Sequence, residues 1–174
     1  MVAIGSPRIS KRAPRAAFLV SSRKSEPVTK VKRMIKILVP VDGSPFSDRS
    51  LDYLIELSKT QGPLDIHLLS VQIPIDSGHA RQFATEQEID AYHRDEGMQV
   101  LKPYMQRLDA DGIAYSYHVL VGHVAPTIGR FATEQQFDKL VMGTHGRTGL
   151  NNLLMGSVAQ NVVRHVKIPV ALVK

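Results

Sequence analysis

Glycines in the last third of the chain have the spacing of a loop that could bind a phosphate group. They stand at positions 143, 146, 149 and 156, and the last is followed by Ser157. Because glycine has no Cβ, the backbone N–H groups of such a loop can converge on phosphate oxygens. Gly156 and Ser157 also begin a predicted helix, whose unpaired N–H groups and positive dipole end favour an anion. The segment therefore predicts an anion-binding loop at a helix N-terminus.

Three side chains of this segment allow more than one interpretation. Ser157 could cap the predicted helix or donate its hydroxyl to a phosphate. Arg147 is placed to add a cationic contact to the anion, although a single loop arginine is more often only solvated. His145 could be a general base, but no carboxylate is visibly placed to orient its ring. We therefore expect His145 to pack or to face solvent.

Several well-known chemical motifs are missing from the sequence. No glycine run is followed by Lys and Ser or Thr, so the segment is not a Walker A loop, and G-x-G-x-x-G occurs nowhere. No G-x-S-x-G surrounds Ser44 or Ser157, which removes support for acyl transfer. The seven histidines include no pair with the tight spacing of a zinc-binding helix. The sequence therefore favours binding over catalysis, with no metal site built by protein alone.

Alternating strand and helix patterns must position these residues. Ser44 and Pro45 open the first helix, with Pro at its first position, and Gly62 stops it. The alternation predicts a mainly parallel sheet with helices on both faces, which is a doubly wound, Rossmann-like α/β fold. The predicted strands are residues 35–41, 64–73, 113–121, 137–143 and 168–173, and the predicted helices are residues 45–59, 86–110, 126–135 and 157–165.

Two predicted strand ends are suited to bind a ligand. In open α/β sheets, ligands bind beyond the carboxyl ends of the strands, where the strand order changes direction. Pro40, Val41 and Asp42 follow the first strand in this way, and the glycine segment from Gly143 follows the fourth. We expect these two ends to form one cleft.

The glycine segment and the opening strand together resemble the universal stress protein family. The glycine spacing, written Gly143-x2-Gly146-x9-Gly156-Ser157, is similar to the nucleotide-binding pattern of that family, and the similarity extends over residues 37–44, 158–163 and 168–170. The resemblance covers residues 34–174. It implies a five-stranded parallel sheet in the order 3-2-1-4-5, of the adenine-nucleotide alpha-hydrolase-like type. It also implies dimers, and a division between ATP-binding members and members that lack the glycines, all of which this sequence retains.

The same resemblance implies a role for each residue that matches the motif. Asp42 and Val71 resemble the positions that recognise adenine, and Pro40 and Val41 resemble the lining of that end of the cleft. Met142 and Gly143 resemble the contacts to ribose and α-phosphate. The phosphate cradle is expected at Gly146, Gly156, Ser157 and Val158, with Arg147 beside it.

Asp42 has two interpretations from its own chemistry. A carboxylate at a strand end can accept a hydrogen bond from a ribose hydroxyl or from the adenine amine, next to an apolar wall for the purine face. Asp42 also precedes Gly43, where an aspartate is a common turn residue. We favour the ligand role.

Three hypotheses of function follow. The first is a stress-response protein that binds ATP, with Mg²⁺ held mainly by the nucleotide's own phosphates, and signals by occupancy. The second is a dimeric interaction module with a vestigial pocket, because the apolar final strand, residues 170–173, could pair across a two-fold axis. The third, a true ATP hydrolase, ranks last because no catalytic base is evident.

The basic charge of the chain is concentrated near its start. Residues 1–33 contain nine Lys and Arg against one acid, whereas the remaining residues carry 13 basic and 15 acidic side chains. A nucleic-acid partner is therefore not expected for the domain. We expect residues 1–33 to be a disordered extension, or to result from a start assigned upstream of a true start at Met34. Both interpretations are favoured over a targeting peptide. The lack of cysteine and of any long apolar run favours a cytoplasmic protein with no membrane span.

Overall fold

The computed structural model describes residues 33–75, 85–146 and 155–174. Most of the predicted extension, part of the polar connection before the second helix, and Arg147 lie outside the described residues. The strands are β1 (Lys36–Pro40), β2 (Asp65–Gln72), β3 (Tyr115–Val121), β4 (Lys139–Gly143) and β5 (Val170–Val173), and the helices are α1 (Pro45–Gln61), α2 (Glu86–Ala110), α3 (Val124–Glu134) and α4 (Ser157–His165).

The five strands form one parallel sheet in the order β3-β2-β1-β4-β5. Val39 lies opposite Leu68, and Leu69 lies opposite His118, which fixes the register of the first three strands. The predicted fold class and strand order are therefore confirmed. From β1 the chain builds outward through β2 and β3, then crosses to β4 on the other side. The change of direction thus falls between β1 and β4, the position where such folds bind ligands.

Alternate residues of β1 pack into two separate hydrophobic cores, one on each face of the sheet. Ile37 and Val39 are fully buried against α1 and α2, where they contact a cluster that includes Leu54 and Leu101. Leu38 points the other way, into a cluster that includes Phe131 of α3. Both faces of the sheet are therefore covered by helices, as the nearly continuous apolar pattern of the strands predicts.

Local capping sets both ends of α1. The hydroxyl of Ser44 accepts a hydrogen bond from the N–H of Ser47 at 3.3 Å, and Pro45 takes the first helical position. At the other end, Gly62 has φ of 89°, a left-handed conformation suited to glycine, and donates its N–H to Ser58. Both predicted boundary signals are confirmed, although the helix runs two residues further than residue 59.

β3 and β4 begin two residues later than predicted. The N–H of Ile113 donates to Leu108 of the preceding helix, and the N–H of Phe137 donates to Ala132. Both apolar residues therefore belong to helix-ending turns instead of the sheet ladder. Periodicity could not reveal this difference, because Phe137 is as buried as a strand residue. Among the described helices, none is long and apolar enough to cross a membrane.

Candidate functional site

The loop after β4 is fixed by backbone hydrogen bonds to two other elements. Thr144 donates its N–H to Val173 of β5 at 2.9 Å. Its carbonyl oxygen accepts from the N–H of Gly156 at 2.8 Å, just before α4 begins. The N-terminus of α4 is thereby held beside the carboxyl end of β4, as the glycine segment predicts.

Asp42 and Gly146 meet across the gap between β1 and β4. A Cβ atom placed on Gly146 would lie only 2.7 Å from Oδ2 of Asp42, closer than ordinary van der Waals contact. The carboxylate after β1 and the glycine loop after β4 therefore lie next to each other. Two sequence motifs that are far apart along the chain are joined by the strand order.

The carboxylate of Asp42 is held by the first turn of α1. Its Oδ1 accepts hydrogen bonds from the N–H of Ser44 at 3.1 Å and from the hydroxyl of Ser47 at 2.7 Å. The bond to the N–H two residues ahead is the turn contact expected of an aspartate before Gly43. Asp42 thus has a structural role at this turn, and its Oδ2 is the oxygen that lies toward Gly146.

Close packing explains why glycine stands at two motif positions. A Cβ on Gly143 would lie 2.5 Å from Cβ of Phe46, at the start of α1. A Cβ on Gly156 would lie 3.2 Å from the carbonyl oxygen of Thr144 and 3.3 Å from Cα of His145. Gly156 has φ of −59°, so its backbone suits any residue. These glycines allow chain segments to approach each other, in addition to any contact with a ligand.

The start of α4 excludes one of the two interpretations of Ser157. Gly156 is the N-cap residue, and no side-chain hydrogen bond caps this helix. Ser157 is the first helical residue and is exposed. The prediction that it caps the helix is therefore wrong, because the cap position lies one residue earlier. Its hydroxyl and the first N–H groups of α4 lie together at the positive end of the helix dipole.

The remaining predicted site residues differ in whether their side chains can reach a ligand. Val41 and Met142 are buried in the two hydrophobic cores, so the chain can present only their backbone to a ligand. Val71 is half-buried on β2, two residues beyond Leu69, the partner of Pro40. Val158 is 40% exposed.

His145 packs within the site. Its ring lies 5.1 Å from the ring of Phe46, and its Nδ1 is 3.1 Å from the hydroxyl of Thr144. Of the two expected surroundings, packing or solvent, the structure shows packing. Among the described residues, no group of three His, Asp or Glu side chains is placed to hold a metal ion.

The sequence interpretation did not include two polar residues that lie near the carboxylate of Asp42, Ser47 and Tyr104. Ser47 is only 4% exposed, although its hydroxyl contacts the carboxylate. Tyr104 of α2 is buried nearby, and its pKa is raised far above the ordinary value, first by burial and then by the charge of Asp48. Its phenol stays neutral at physiological pH. Serines at positions 44, 47 and 50 lie on one helical face, a pattern that could have indicated a buried polar cluster.

Comparison with known proteins gives a consistent result. The profile of the Universal stress protein family matches residues 34–174. Universal stress protein MJ0531 of Methanocaldococcus jannaschii is 31% identical over 139 residues, which cover 80% of this chain and 81% of that protein. Universal stress protein YxiE of Bacillus subtilis is 27% identical over 146 residues, covering 80% of this chain and 98% of that protein.

Solved structures share the fold. The structure of protein MJ0577 of Methanocaldococcus jannaschii matches with a TM-score of 0.69 and 28% identity, over 80% of this chain and 95% of that one. A universal stress protein in complex with cAMP matches with a TM-score of 0.56 and 23% identity, over 80% and 96% of the two chains. A family protein from Arabidopsis thaliana with AMP bound matches with a TM-score of 0.57 and 19% identity, over 80% and 91%.

Proposed function

This chain belongs to the universal stress protein family, and on that premise we propose that it binds ATP and acts in the cytoplasm by nucleotide-dependent signalling in a stress response. The binding site is the cleft between the carboxyl ends of β1 and β4. The observation that carries this proposal is the contact between Asp42 and Gly146. It brings a carboxylate that can bind the base or the ribose next to a loop that can bind phosphate.

The chemistry of the cleft suits the two ends of a nucleotide. At one end, the carboxylate of Asp42 accepts a hydrogen bond from the ribose or the adenine amine, and Val71 offers an apolar contact. At the other end, Gly156 and the exposed residue Ser157 lie at the start of α4, whose dipole attracts phosphate, and Gly146 lies in the loop after β4 beside Asp42. Mg²⁺ is held mainly by the phosphates themselves.

The ligands of two distant relatives support this choice. One is solved with cAMP and another with AMP, and both ligands contain adenosine and a phosphate group. At 23% and 19% identity, these relatives support the capacity of the fold to bind an adenosine phosphate. ATP contains the same adenosine with additional phosphates for the glycine loop.

Binding of ATP should stabilise the folded protein by mass action. At a ligand concentration of about 100 times Kd the gain is about 2.7 kcal/mol, which corresponds to a rise in Tm of roughly 5–10 °C. Ser157→Asp should abolish this rise, because a carboxylate then stands where the phosphate binds. The stability of the free protein should not fall, since a negative charge in the first turn of a helix is favourable. Thermal unfolding with ATP, AMP and cAMP measures both effects.

Asn161→Asp is the matched control for this variant. It adds the same charge to an exposed position one turn further along α4, beyond the first turn where the dipole effect is concentrated. It should keep most of the rise in Tm. An undiminished rise in the Ser157→Asp protein would contradict the assignment of the phosphate end of the site. Absence of any rise in the wild-type protein with all three nucleotides would contradict the proposed function.

The exposed face at β5 favours a second candidate, a dimeric interaction module whose pocket is empty. β5 is an edge strand of the described sheet, and Leu172 on it is 38% exposed. Pairing of two such edges across a two-fold axis would cover both. Light scattering should then show a dimer that Leu172→Glu converts to a monomer. Mass spectrometry of the purified protein separates the candidates, because bound adenine nucleotide supports the first and a dimer that is always empty supports the second.

A further inference from the structure

Ser47 lies between two polar atoms of Asp42. Its hydroxyl is 2.7 Å from Oδ1 of the carboxylate and 3.2 Å from the backbone N–H of the same residue. The side chain is in the first turn of α1 and almost fully buried. Ser47 therefore connects the helix to the loop after β1 through one hydroxyl group.

The surrounding donors determine which way this hydroxyl points. The N–H of Asp42 can only donate, so the oxygen of Ser47 accepts that bond. The oxygen of Ser44 accepts from the N–H of Ser47, which leaves its own hydrogen directed to the Ser47 oxygen at 3.4 Å. The hydroxyl hydrogen of Ser47 is directed to Oδ1 of Asp42 at 2.7 Å, and the phenol of Tyr104 is a further hydrogen-bonding neighbour of Ser47. The hydrogen bond to the carboxylate is thus built into the turn.

Fixing one carboxylate oxygen also fixes the other. Oδ1 of Asp42 accepts from both the N–H of Ser44 and the hydroxyl of Ser47, and two donors on one oxygen restrict the orientation of the carboxylate. Oδ2 then lies on the side of Gly146 and the glycine loop. The phenol of Tyr104, which lies near Ser47, is neutral and therefore adds no charge beside the carboxylate of Asp42.

We propose that Ser47 is a positioning residue for nucleotide recognition: it holds Oδ1 of Asp42 so that Oδ2 faces the cleft and accepts a hydrogen bond from a donor on the nucleotide. This inference rests on the proposed function. The donor is a ribose hydroxyl or the adenine amine. Loss of Ser47 should therefore weaken the distinction between nucleotides that have this donor and nucleotides that lack it.

The test compares ratios of Kd in Ser47→Ala and the wild-type protein, measured by calorimetry for ATP, 2′-deoxy-ATP and inosine triphosphate. The two analogues separately remove a ribose hydroxyl and the adenine amine. In the wild-type protein, at least one analogue should bind roughly tenfold more weakly, the cost of a lost hydrogen bond to a charged group. In Ser47→Ala that ratio should fall close to one. A ratio of two affinities on the same sample is insensitive to a reduced fraction of folded protein.

Ser50→Ala is the matched control. Ser50 is fully buried on the same helix and donates its hydroxyl to the carbonyl of Phe46 at 2.9 Å, without a contact to Asp42. It should keep the wild-type ratio. If Ser47→Ala also keeps it while the wild-type protein binds ATP, the positioning role is wrong and the proposed function stands. If neither analogue is discriminated by the wild-type protein, the inference is overturned, and if no nucleotide binds, both proposals are overturned.

Discussion

Two buried polar clusters can be compared in this molecule. The serine cluster (Asp42, Ser44 and Ser47) lies at the carboxyl end of β1, and the histidine pair (His67 and His118) lies within β2 and β3. In the serine cluster, hydroxyl and N–H groups donate to a carboxylate. In the histidine pair, a nitrogen of each ring is the hydrogen-bond partner of a nitrogen of the other ring. The first cluster is stabilised by neutral donors, and the second depends on where a proton resides.

The geometry of the histidine pair leaves room for one shared proton. Nδ1 of His67 and Nε2 of His118 are 2.8 Å apart, and the stacked rings are 5.1 Å apart between their centroids. Nε2 of His67 is 3.2 Å from Asp65, whereas Nδ1 of His118 has no hydrogen-bond partner within the part of the chain that the structure describes. A buried nitrogen without a partner has a free-energy cost, so this cluster is less completely satisfied than the serine cluster.

The surroundings disfavour a second proton on the pair. The pKa of His118 is lowered to about 4, first by burial, then by His67 and by Lys36. Phe137 packs edge-on against His67, and Nζ of Lys36 lies 4.5 Å from the centroid of the same phenylalanine ring. We therefore expect the two clusters to respond differently to acid. Three predictions test that difference.

The largest expected effect comes from Phe137→Ala. Phe137 is 3% exposed, and truncation of a buried phenylalanine costs about 3–5 kcal/mol. Because water then reaches the histidine pair, the pKa of His118 should rise toward its ordinary value, and the loss of stability on acidification should become smaller. Urea unfolding at pH 7 and pH 5 measures both. Leu54→Ala, in the core on the opposite face, should cost about 2–5 kcal/mol and leave the pH dependence unchanged.

The next effect is the pH dependence of the wild-type protein. The unfolded chain binds a proton on His118 near pH 6.5 and the folded chain only near pH 4, so the unfolded state gains more protons between these values. The stability due to the neutral ring is present above pH 6.5 and is lost as the pH falls toward 4. We expect Tm to decrease by roughly 5 °C over this interval. Differential scanning calorimetry in a pH series measures this decrease.

His118→Gln is the control for this pH dependence. Glutamine keeps polar atoms at the position but does not titrate, so most of the decrease in Tm between pH 6.5 and pH 4 should disappear. The pKa of Glu88 is lowered from its ordinary value of 4.5 by hydrogen bonds from Thr85. Glu88 therefore reduces the stability of the folded protein only when the pH falls below about 4.5, and this loss should be the same in both proteins. Identical profiles for the two proteins would show that the histidine pair does not cause the difference between the clusters.

The smallest expected effect belongs to the serine cluster. Ser44→Ala removes the N-cap of α1 and should cost about 1 kcal/mol. The cost should be the same at pH 7 and pH 5, because the lost bonds join the Ser44 hydroxyl to the N–H and the hydroxyl of Ser47 and involve no group that titrates there. Denaturant unfolding at the two pH values gives the comparison. A cost that changes markedly with pH would show that the serine cluster is coupled to a titrating group.

Local patterns were sufficient for most of the fold. The interval predicted for the second helix, residues 86–110, is the interval of α2 in the structure, where Thr85 and Glu88 form a capping box. The start of α1 followed from Ser44 and Pro45 in the same way. The strand starts at Ile113 and Phe137 were predicted too early, because hydrogen bonds to the preceding helices, which no hydrophobic pattern encodes, take those N–H groups out of the sheet.

By itself, the sequence determined the chemical types at the site, namely a carboxylate after the first strand and a glycine loop before the last helix. It also determined the order of strands and helices, because periodicity and capping are local properties of the chain. Only the tertiary structure decided that Oδ2 of Asp42 faces Gly146 and that Gly143 is needed to pack against Phe46. The histidine pair, 51 residues apart in sequence, is likewise a product of strand register. Contacts across a parallel sheet depend on how distant segments align, and that alignment is fixed only when the whole core packs.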